Sequence, residues 1–182
     1  MPLNEGQANN IQLELAYQLG FSSREDIQKE RYQPMLKEIL SEDLIECDYP
    51  AADRNQAVRK AGSLLVQKGL ASEEYIDAMI ENVEVNGTYI VIAPGIAMPH
   101  ARPEKGAKSV GFSIVTLKEP VVFGHPSNDP VAIVIGLCAI DHQTHLKALS
   151  ELADILSDPE KVIQLRQAVT PQDVLSLIGE GK

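Results

Sequence analysis

One run of ten residues without a charged side chain, VAIVIGLCAI from Val131 to Ile140, restricts the possible folds more than any other feature of the chain. Its β-branched residues predict a strand, and its continuous apolar character predicts that this strand is buried on both faces. Such a strand requires a layer of helices on each side of its sheet. Ten residues are too few to cross a bilayer as a helix, so the run is interpreted as the centre of a globular core.

Helical spacing occurs on both sides of this run. Before it, Asp53 is predicted to cap a helix that ends at Gly69, and Ser72 is predicted to cap the next helix. Shorter β-like runs, "TYIVIAP", "GIAMPH" and "SVGFSIVTLK", precede the long strand, and helical spacing resumes at Asp141. Two further helix starts are predicted at Asp158-Pro159 and at Thr170 with Asp173. This order predicts the α/β class, as a three-layer sandwich with a mixed central β-sheet flanked by helices.

Composition excludes several classes of protein. The formal net charge of −10 argues against a nucleic-acid partner, which needs clustered Lys and Arg. Cys47 and Cys138 form no metal or redox motif, and the first residues lack the pattern of a signal peptide. We therefore expect a cytoplasmic protein, with any connection to a membrane made through a partner. Residues 1–33 are polar and are interpreted as an N-terminal extension, with the main domain at 34–182.

His100 is the candidate catalytic residue. It ends an apolar run in "VIAPGIAMPHARPEKG", where Pro99 and Pro103 stiffen the chain on either side. Two interpretations stay open on the residues alone: an ordinary packed residue at a strand end, or a side chain with a fixed direction for chemistry. Ligands collect at the carboxyl ends of strands in α/β sheets, and a helix N-terminus favours an anion. If His100 lies at the same edge as the end of the long strand, the arrangement suits phosphoryl transfer through a neutral imidazole.

The other histidines have simpler explanations. His125 lies in the turn-rich segment "FGHPSNDP" and is expected to be exposed. His142 and His145 begin a predicted helix three residues apart, which is weak evidence for a metal site because no third ligand is evident. No metal site is therefore predicted. His145 is expected to face His100 if the two lie at one edge of the sheet.

"APGIAMPHARPE", followed by "GFSIVTLKEPVVFGHPSNDPVAIVIGLCAIDHQTHLKAL", resembles the enzyme IIA components of the bacterial phosphoenolpyruvate-dependent sugar phosphotransferase system. The resemblance is to the mannitol/fructose-type superfamily, is nearest to its ascorbate-like branch, and spans about residues 35–179. It implies that the small carrier protein HPr phosphorylates His100, and that the phosphoryl group then passes to an enzyme IIB. That partner serves sugar uptake through a membrane component, IIC. The family also implies a mixed sheet between helical layers and no cofactor, because the donor is a protein.

The resemblance also assigns roles to two neighbours of His100. It implies that His145 is the second active-site histidine. Mannitol and fructose relatives carry an arginine in the segment that leads to the histidine motif, whereas the corresponding segment here, "MIENVEVNGTYIVIAPG", has none. Arg102, two residues after His100, is the candidate phosphoryl-binding substitute, and the alternative is an ordinary surface arginine.

Two alternatives to a transport function remain at this point. Related domains also occur in regulators, where phosphorylation of the histidine is a signal and no sugar is moved. The other is a non-catalytic binding domain, which a buried and unreactive His100 would support. The transported sugar is not determined by this chain, because an enzyme IIA does not touch the sugar.

Overall fold

The computed structural model describes residues 36–140 and 142–179. Its helices are α1 (Leu36–Ile39), α2 (Arg54–Gln67), α3 (Glu73–Asn86), α4 (His142–Leu156), α5 (Pro159–Gln167) and α6 (Pro171–Gly179). Its strands are β1 (Ile45–Tyr49), β2 (Val91–Ala93), β3 (Ile96–Ala97), β4 (Gly111–Val121) and β5 (Val131–Cys138). Short 3-10 helices cover Glu42–Leu44, Thr88–Ile90 and Pro103–Lys105. The predicted domain boundary between residues 33 and 34 lies outside the described residues and stays a prediction.

The strands form one mixed sheet in the order β1-β4-β5-β3-β2. β4 and β5 pair antiparallel in its centre, whereas β1 runs parallel to β4 and β3 runs parallel to β5. β2 pairs antiparallel with β3 at the edge. The prediction of an α/β sandwich around a mixed sheet is confirmed.

Every residue of β5 is buried, as its continuous apolar sequence predicts. Helix α2 packs against both β4 and β5, and α3 packs on α2. On the C-terminal side, α4, α5 and α6 pack in succession, with α5 against β4 and α6 against β1. α1 joins this group, since the Leu36 N–H donates to the Glu151 carboxylate on α4 at 2.7 Å. In the described ranges no helix is long and apolar enough to cross a membrane.

Two polar residues in the buried part of β4, Ser113 and Thr116, do not mark a face exposed to solvent. Ser113 and Thr116 are both buried. The Ser113 hydroxyl donates to the Ala61 carbonyl on α2 at 2.7 Å, and the Thr116 hydroxyl oxygen accepts from the Asp48 N–H at 3.0 Å. Because both hydroxyls are paired, β4 tolerates burial on both faces despite its alternating sequence.

Most of the predicted helix starts are confirmed with their caps. The Asp53 carboxylate accepts from the Gln56 N–H at 2.8 Å, and Asp158 accepts from Glu160 N–H at 3.0 Å. Thr170 and Asp173 form the reciprocal capping box, with Asp173 accepting from the Thr170 N–H at 2.9 Å and donating its own N–H to the Thr170 hydroxyl at 3.2 Å. The N-cap prediction for α3 is right in position only, because the residue there, Ser72, forms no side-chain cap hydrogen bond.

Candidate active site

His100 lies at the carboxyl edge of the sheet, beside the end of β5. β3 runs parallel to β5 through the pairs Ile96–Ile133 and Ala97–Val134, and the chain continues in the same direction to an isolated parallel bridge between His100 and Leu137. The Leu137 N–H donates to the Pro99 carbonyl at 3.1 Å. His100 therefore lies at the edge that the sequence indicated, but in a single bridge three residues beyond the end of β3 and not within a strand.

The imidazole of His100 has a fixed tautomer. Its Nδ1 lies 2.9 Å from the carbonyl oxygen of Met98. A carbonyl oxygen only accepts hydrogen bonds, so Nδ1 carries the proton and Nε2 of the neutral ring has a free lone pair. The side chain is partly exposed, which distinguishes it from a fully packed core histidine. The ring can therefore present an unprotonated nitrogen to a partner.

The surroundings of His100 favour its neutral form. Burial of the ring among protein atoms lowers its pKa below the usual value near 6.5, because the charged form loses solvation. The hydrogen bond to the Met98 carbonyl acts in the opposite direction and is the smaller of the two causes. The imidazole is therefore neutral at pH 7, which is the state that a nucleophile requires.

Two side chains on helix α3 hold the backbone next to His100, and sequence reasoning missed both. The Asn82 amide donates to the His100 carbonyl at 3.0 Å. The Tyr75 hydroxyl oxygen accepts from the Ala101 N–H at 3.1 Å. The same hydroxyl can donate its proton to the carbonyl oxygen of Ala101 at 3.0 Å or to that of Leu137 at 2.9 Å. One feature of the sequence could have indicated them. Asn82 follows Tyr75 by seven positions and therefore lies on the same face of α3, which otherwise supplies apolar residues.

Tyr89 is a third neighbour that the sequence did not indicate. Its ring meets the His100 ring edge to face, with centroids 5.9 Å apart and an interplanar angle of 86°. The Asn82 amide donates to the Tyr89 hydroxyl as well as to the His100 carbonyl. Burial raises the pKa of Tyr89, so its hydroxyl stays protonated at neutral pH.

His145 lies in the first turn of α4, which begins four residues after the end of β5. The N-terminus of a long helix thus follows the strand end beside His100, and such a terminus favours an anion. The side chains of His142 and His145 lie outside the described part of the structure, as does Asp141. The expectation that His145 faces His100 stays a prediction.

Arg102 is exposed, and its carbonyl accepts from the Lys105 N–H at 3.0 Å as the 3-10 helix begins. Within the described ranges its guanidinium forms no hydrogen bond or ion pair, and therefore none with His100.

His125 is half-buried, contrary to the expectation of an exposed side chain, because its Nδ1 accepts from the N–H groups of Ser127 and Asn128 at 3.2 Å and 3.0 Å. Among described residues, no group of three or more His, Cys, Asp or Glu could hold a metal ion.

Comparison with known proteins gives consistent matches. The family model described as "Phosphoenolpyruvate-dependent sugar phosphotransferase system, EIIA 2" matches residues 38–181. The ascorbate-specific phosphotransferase system EIIA component of Escherichia coli strain K12 is 44% identical over 124 residues, which are 68% of this chain and 80% of that protein.

Two solved structures from Escherichia coli share the fold. The mannitol-specific cryptic phosphotransferase enzyme IIA superposes with a TM-score of 0.72 at 36% identity, covering 80% of this chain and 99% of the other. The mannitol enzyme IIA in complex with phosphorylated mannitol enzyme IIB gives a TM-score of 0.68 at 27% identity, covering 78% and 98%.

Proposed function

Because the chain belongs to the EIIA 2 family of the phosphoenolpyruvate-dependent sugar phosphotransferase system, we propose that it is a phosphocarrier that uses His100 as its phosphoryl acceptor. HPr is the donor and an enzyme IIB is the acceptor of the next step. The single observation that carries this proposal is the hydrogen bond from His100 Nδ1 to the Met98 carbonyl. It leaves Nε2 unprotonated at the partly exposed carboxyl edge of the sheet.

The transfer is a displacement between two imidazoles. The Nε2 lone pair of His100 attacks the phosphorus of the phosphohistidine on HPr and forms the new N–P bond. The old N–P bond breaks, and its electron pair returns to the donor's nitrogen. His100 keeps its Nδ1 proton, so no proton has to be added or removed. The phosphorylated ring is cationic, which strengthens its hydrogen bond to the Met98 carbonyl.

In onward transfer a nucleophile of the enzyme IIB attacks the phosphorus and forms the new bond, while the N–P bond to His100 breaks and its electron pair returns to Nε2. A solved relative forms a complex with phosphorylated mannitol enzyme IIB, which supports a partner of that class for this chain. The 44% identity to ascorbate-specific EIIA components supports ascorbate or a related sugar as the substrate of the system. In this scheme the protein works in the cytoplasm and meets the membrane only through IIB and the membrane component IIC.

Two side chains are assigned supporting roles. His145 donates a hydrogen bond to a phosphoryl oxygen from the first turn of α4. Arg102 reaches the same group with its exposed guanidinium, whose planar fork can contact two oxygens at once. In this scheme neither residue accepts the phosphoryl group, since the acceptor is His100, for which the structure describes both a bridge to β5 and a hydrogen bond that fixes the tautomer.

The proposal is tested by incubating the protein with phosphoenolpyruvate, enzyme I and HPr, followed by intact mass measurement. Wild type should gain one phosphoryl group, His100→Ala should gain none, and the matched variant His125→Ala should gain one. Labelling that survives in His100→Ala would overturn the assignment. Adding an ascorbate-type enzyme IIB then separates transport from the regulatory alternative, since a purely regulatory domain would keep its phosphoryl group.

A further inference from the structure

The backbone from Met98 to Ala101, here called the His100 segment, is bonded at every residue. The Met98 N–H donates to the Ile90 carbonyl at 2.7 Å, and the Met98 carbonyl accepts from His100 Nδ1. The carbonyls of Pro99 and His100 each accept one hydrogen bond, and Ala101 is bonded through both its N–H and its carbonyl. The His100 segment pairs with the sheet through a single bridge, yet these hydrogen bonds fix its backbone both before and after His100.

The bonds after Pro99 come from side chains and not from the sheet. Pro99 has no N–H, and the pairing with β5 ends at the single bridge between His100 and Leu137. Beyond that bridge, Asn82 holds the His100 carbonyl and Tyr75 holds Ala101. These two residues are seven positions apart on α3, so one rigid helix supplies both contacts.

We propose that Tyr75 and Asn82 are positioning residues that set the direction and the tautomer of His100. This inference rests on the proposed phosphocarrier function. The bond between Nδ1 and the Met98 carbonyl exists only while the backbone keeps the ring and that carbonyl in register. Releasing the His100 carbonyl or Ala101 lets the segment rotate, so that the bond weakens and the proton redistributes between Nδ1 and Nε2. A ring protonated on Nε2 has no lone pair there for the attack.

Burial keeps the Tyr75 hydroxyl protonated and away from solvent, so its hydrogen bonds to the His100 segment persist. The residue is 1% exposed, and burial raises its pKa well above the usual value, so its hydroxyl stays protonated. Asn82 adds a second constraint, because its amide also donates to the hydroxyl of Tyr89, whose ring packs edge to face on His100. One amide therefore positions both the backbone of His100 and the aromatic ring beside it.

The experiment uses Asn82→Leu, which removes the amide donor from a partly exposed site and keeps the number and branching of side-chain heavy atoms. Its matched control is Asn55→Leu, since the Asn55 amide donates to the Glu84 carboxylate and accepts from Arg54, both away from the His100 segment. Tyr75→Phe removes one hydroxyl, and Tyr49→Phe is its control in β1. Two quantities are measured for each protein. One is the tautomer of His100 in the unphosphorylated chain, from ¹⁵N chemical shifts at pH 8. The other is the dependence of phosphoryl acceptance on the concentration of phospho-HPr.

We expect Asn82→Leu and Tyr75→Phe to raise the fraction of His100 protonated on Nε2. We also expect them to lower kcat by about 10- to 100-fold with little change in KM, because misplacing a reacting group affects the chemical step. Asn82→Gln keeps an amide donor, so it should retain part of the wild-type Nδ1 tautomer and part of the wild-type kcat. The proposal would be overturned by an unchanged tautomer in Asn82→Leu, or by equal losses in the Asn55→Leu control. A wild type that accepts no phosphoryl group would refute the function alone, since the tautomer is measured without phosphate.

Discussion

At the scale of single residues, a backbone carbonyl decides which nitrogen of His100 is available. The Met98 oxygen lies 2.9 Å from Nδ1, so the proton stays on that nitrogen and the lone pair of Nε2 stays free. An exposed histidine without such a partner would divide its proton between both nitrogens. A fully buried one would have no access to a partner protein. His100 avoids both because its Nδ1 is anchored and the residue as a whole is only half-buried.

The lowered pKa of His100 predicts how phosphoryl acceptance depends on pH. The attacking ring must be neutral, and burial keeps it neutral below the usual pKa near 6.5. The rate should therefore hold its plateau below pH 6.5 and fall only as the pH falls through the lowered pKa. A pH–rate profile, combined with NMR titration of the His100 ring, measures this. A midpoint above 6.5 in both would contradict the prediction.

The same shift predicts a change in stability. Between the lowered pKa and about 6.5, the unfolded chain binds more protons at this histidine than the folded chain does. Its contribution to the free energy of unfolding is thus present above pH 6.5 and is lost as the pH falls through that window. His100→Gln should make urea unfolding less dependent on pH there, while His125→Gln serves as the comparison.

Arg102 is predicted to assist the transfer from the surface. Its guanidinium is exposed and has no partner among the described residues, so it is free to contact phosphoryl oxygens when a donor docks. Arg102→Ala should lower the rate of phosphoryl acceptance roughly tenfold. This loss is smaller than the loss from removing a buried hydrogen-bond donor, because solvent screens the charge of an exposed guanidinium. Arg102→Lys should be intermediate, since it keeps the charge and loses the fork. The exposed neighbour variant Lys105→Ala is the control, and an Arg102→Ala rate equal to wild type would refute the role.

His145 is predicted to affect onward transfer more than acceptance. A hydrogen-bond donor placed at a phosphoryl oxygen is worth on the order of 100-fold in rate. His145→Ala should still be labelled from HPr, but its phosphoryl group should pass to an enzyme IIB about 100-fold more slowly. Rapid-quench kinetics measure this, with His142→Ala, from the same helical turn, for comparison. Unchanged transfer in His145→Ala would exclude the residue from the site.

At the scale of elements, the contact between α2 and the sheet depends on Gly136 in β5. A Cβ atom at this position would overlap the Ser113 hydroxyl oxygen and would lie 3.2 Å from both the Cβ and the carbonyl oxygen of Ala61. Gly136→Ala should therefore lower the free energy of unfolding by about 1–3 kcal/mol, as overpacking does. Urea denaturation measures the loss.

The same contact offers an internal control for that prediction. Ser113→Ala removes the closest atom but also the hydrogen bond to the Ala61 carbonyl. Because the two sites touch, the double variant Gly136→Ala/Ser113→Ala should be less destabilised than the sum of the single variants. If the losses in free energy of unfolding are strictly additive, the Ser113 hydroxyl is not the group that a Cβ atom at position 136 displaces.

At the scale of the whole molecule, α1 belongs to the core of the described residues. Leu36 and Leu40 are 1% and 4% exposed, and the Leu36 N–H is bonded to Glu151. From the boundary predicted between residues 33 and 34, a chain that starts at residue 34 should fold and accept a phosphoryl group like the full chain. A chain that starts at residue 41 should lose several kcal/mol, since each buried leucine removed costs about 2–5 kcal/mol. Urea unfolding of both truncations measures the difference, and equal stabilities would contradict the predicted boundary.

The sequence was most informative where local chemistry and burial agree. The caps at Asp53 and Asp158 were predictable because a side-chain oxygen satisfies N–H groups only a few residues away. β5 was predictable because a continuous apolar strand is stable only between two covering layers. β4 was less clear, since its hydroxyls resemble a solvent-exposed face until their partners, Ala61 and Asp48, are known.

The sequence by itself determined the α/β class and placed His100 at the end of an apolar run, directly after Pro99, because these depend on periodicity and local order along the chain. Only the tertiary structure decided the tautomer of His100 and the contacts of Tyr75, Asn82 and Tyr89 with its segment. The hydrogen bonds from α3 join residues 18 and 26 positions apart. No periodic signal encodes such pairs, because their partners meet only when the helix packs beside the edge of the sheet.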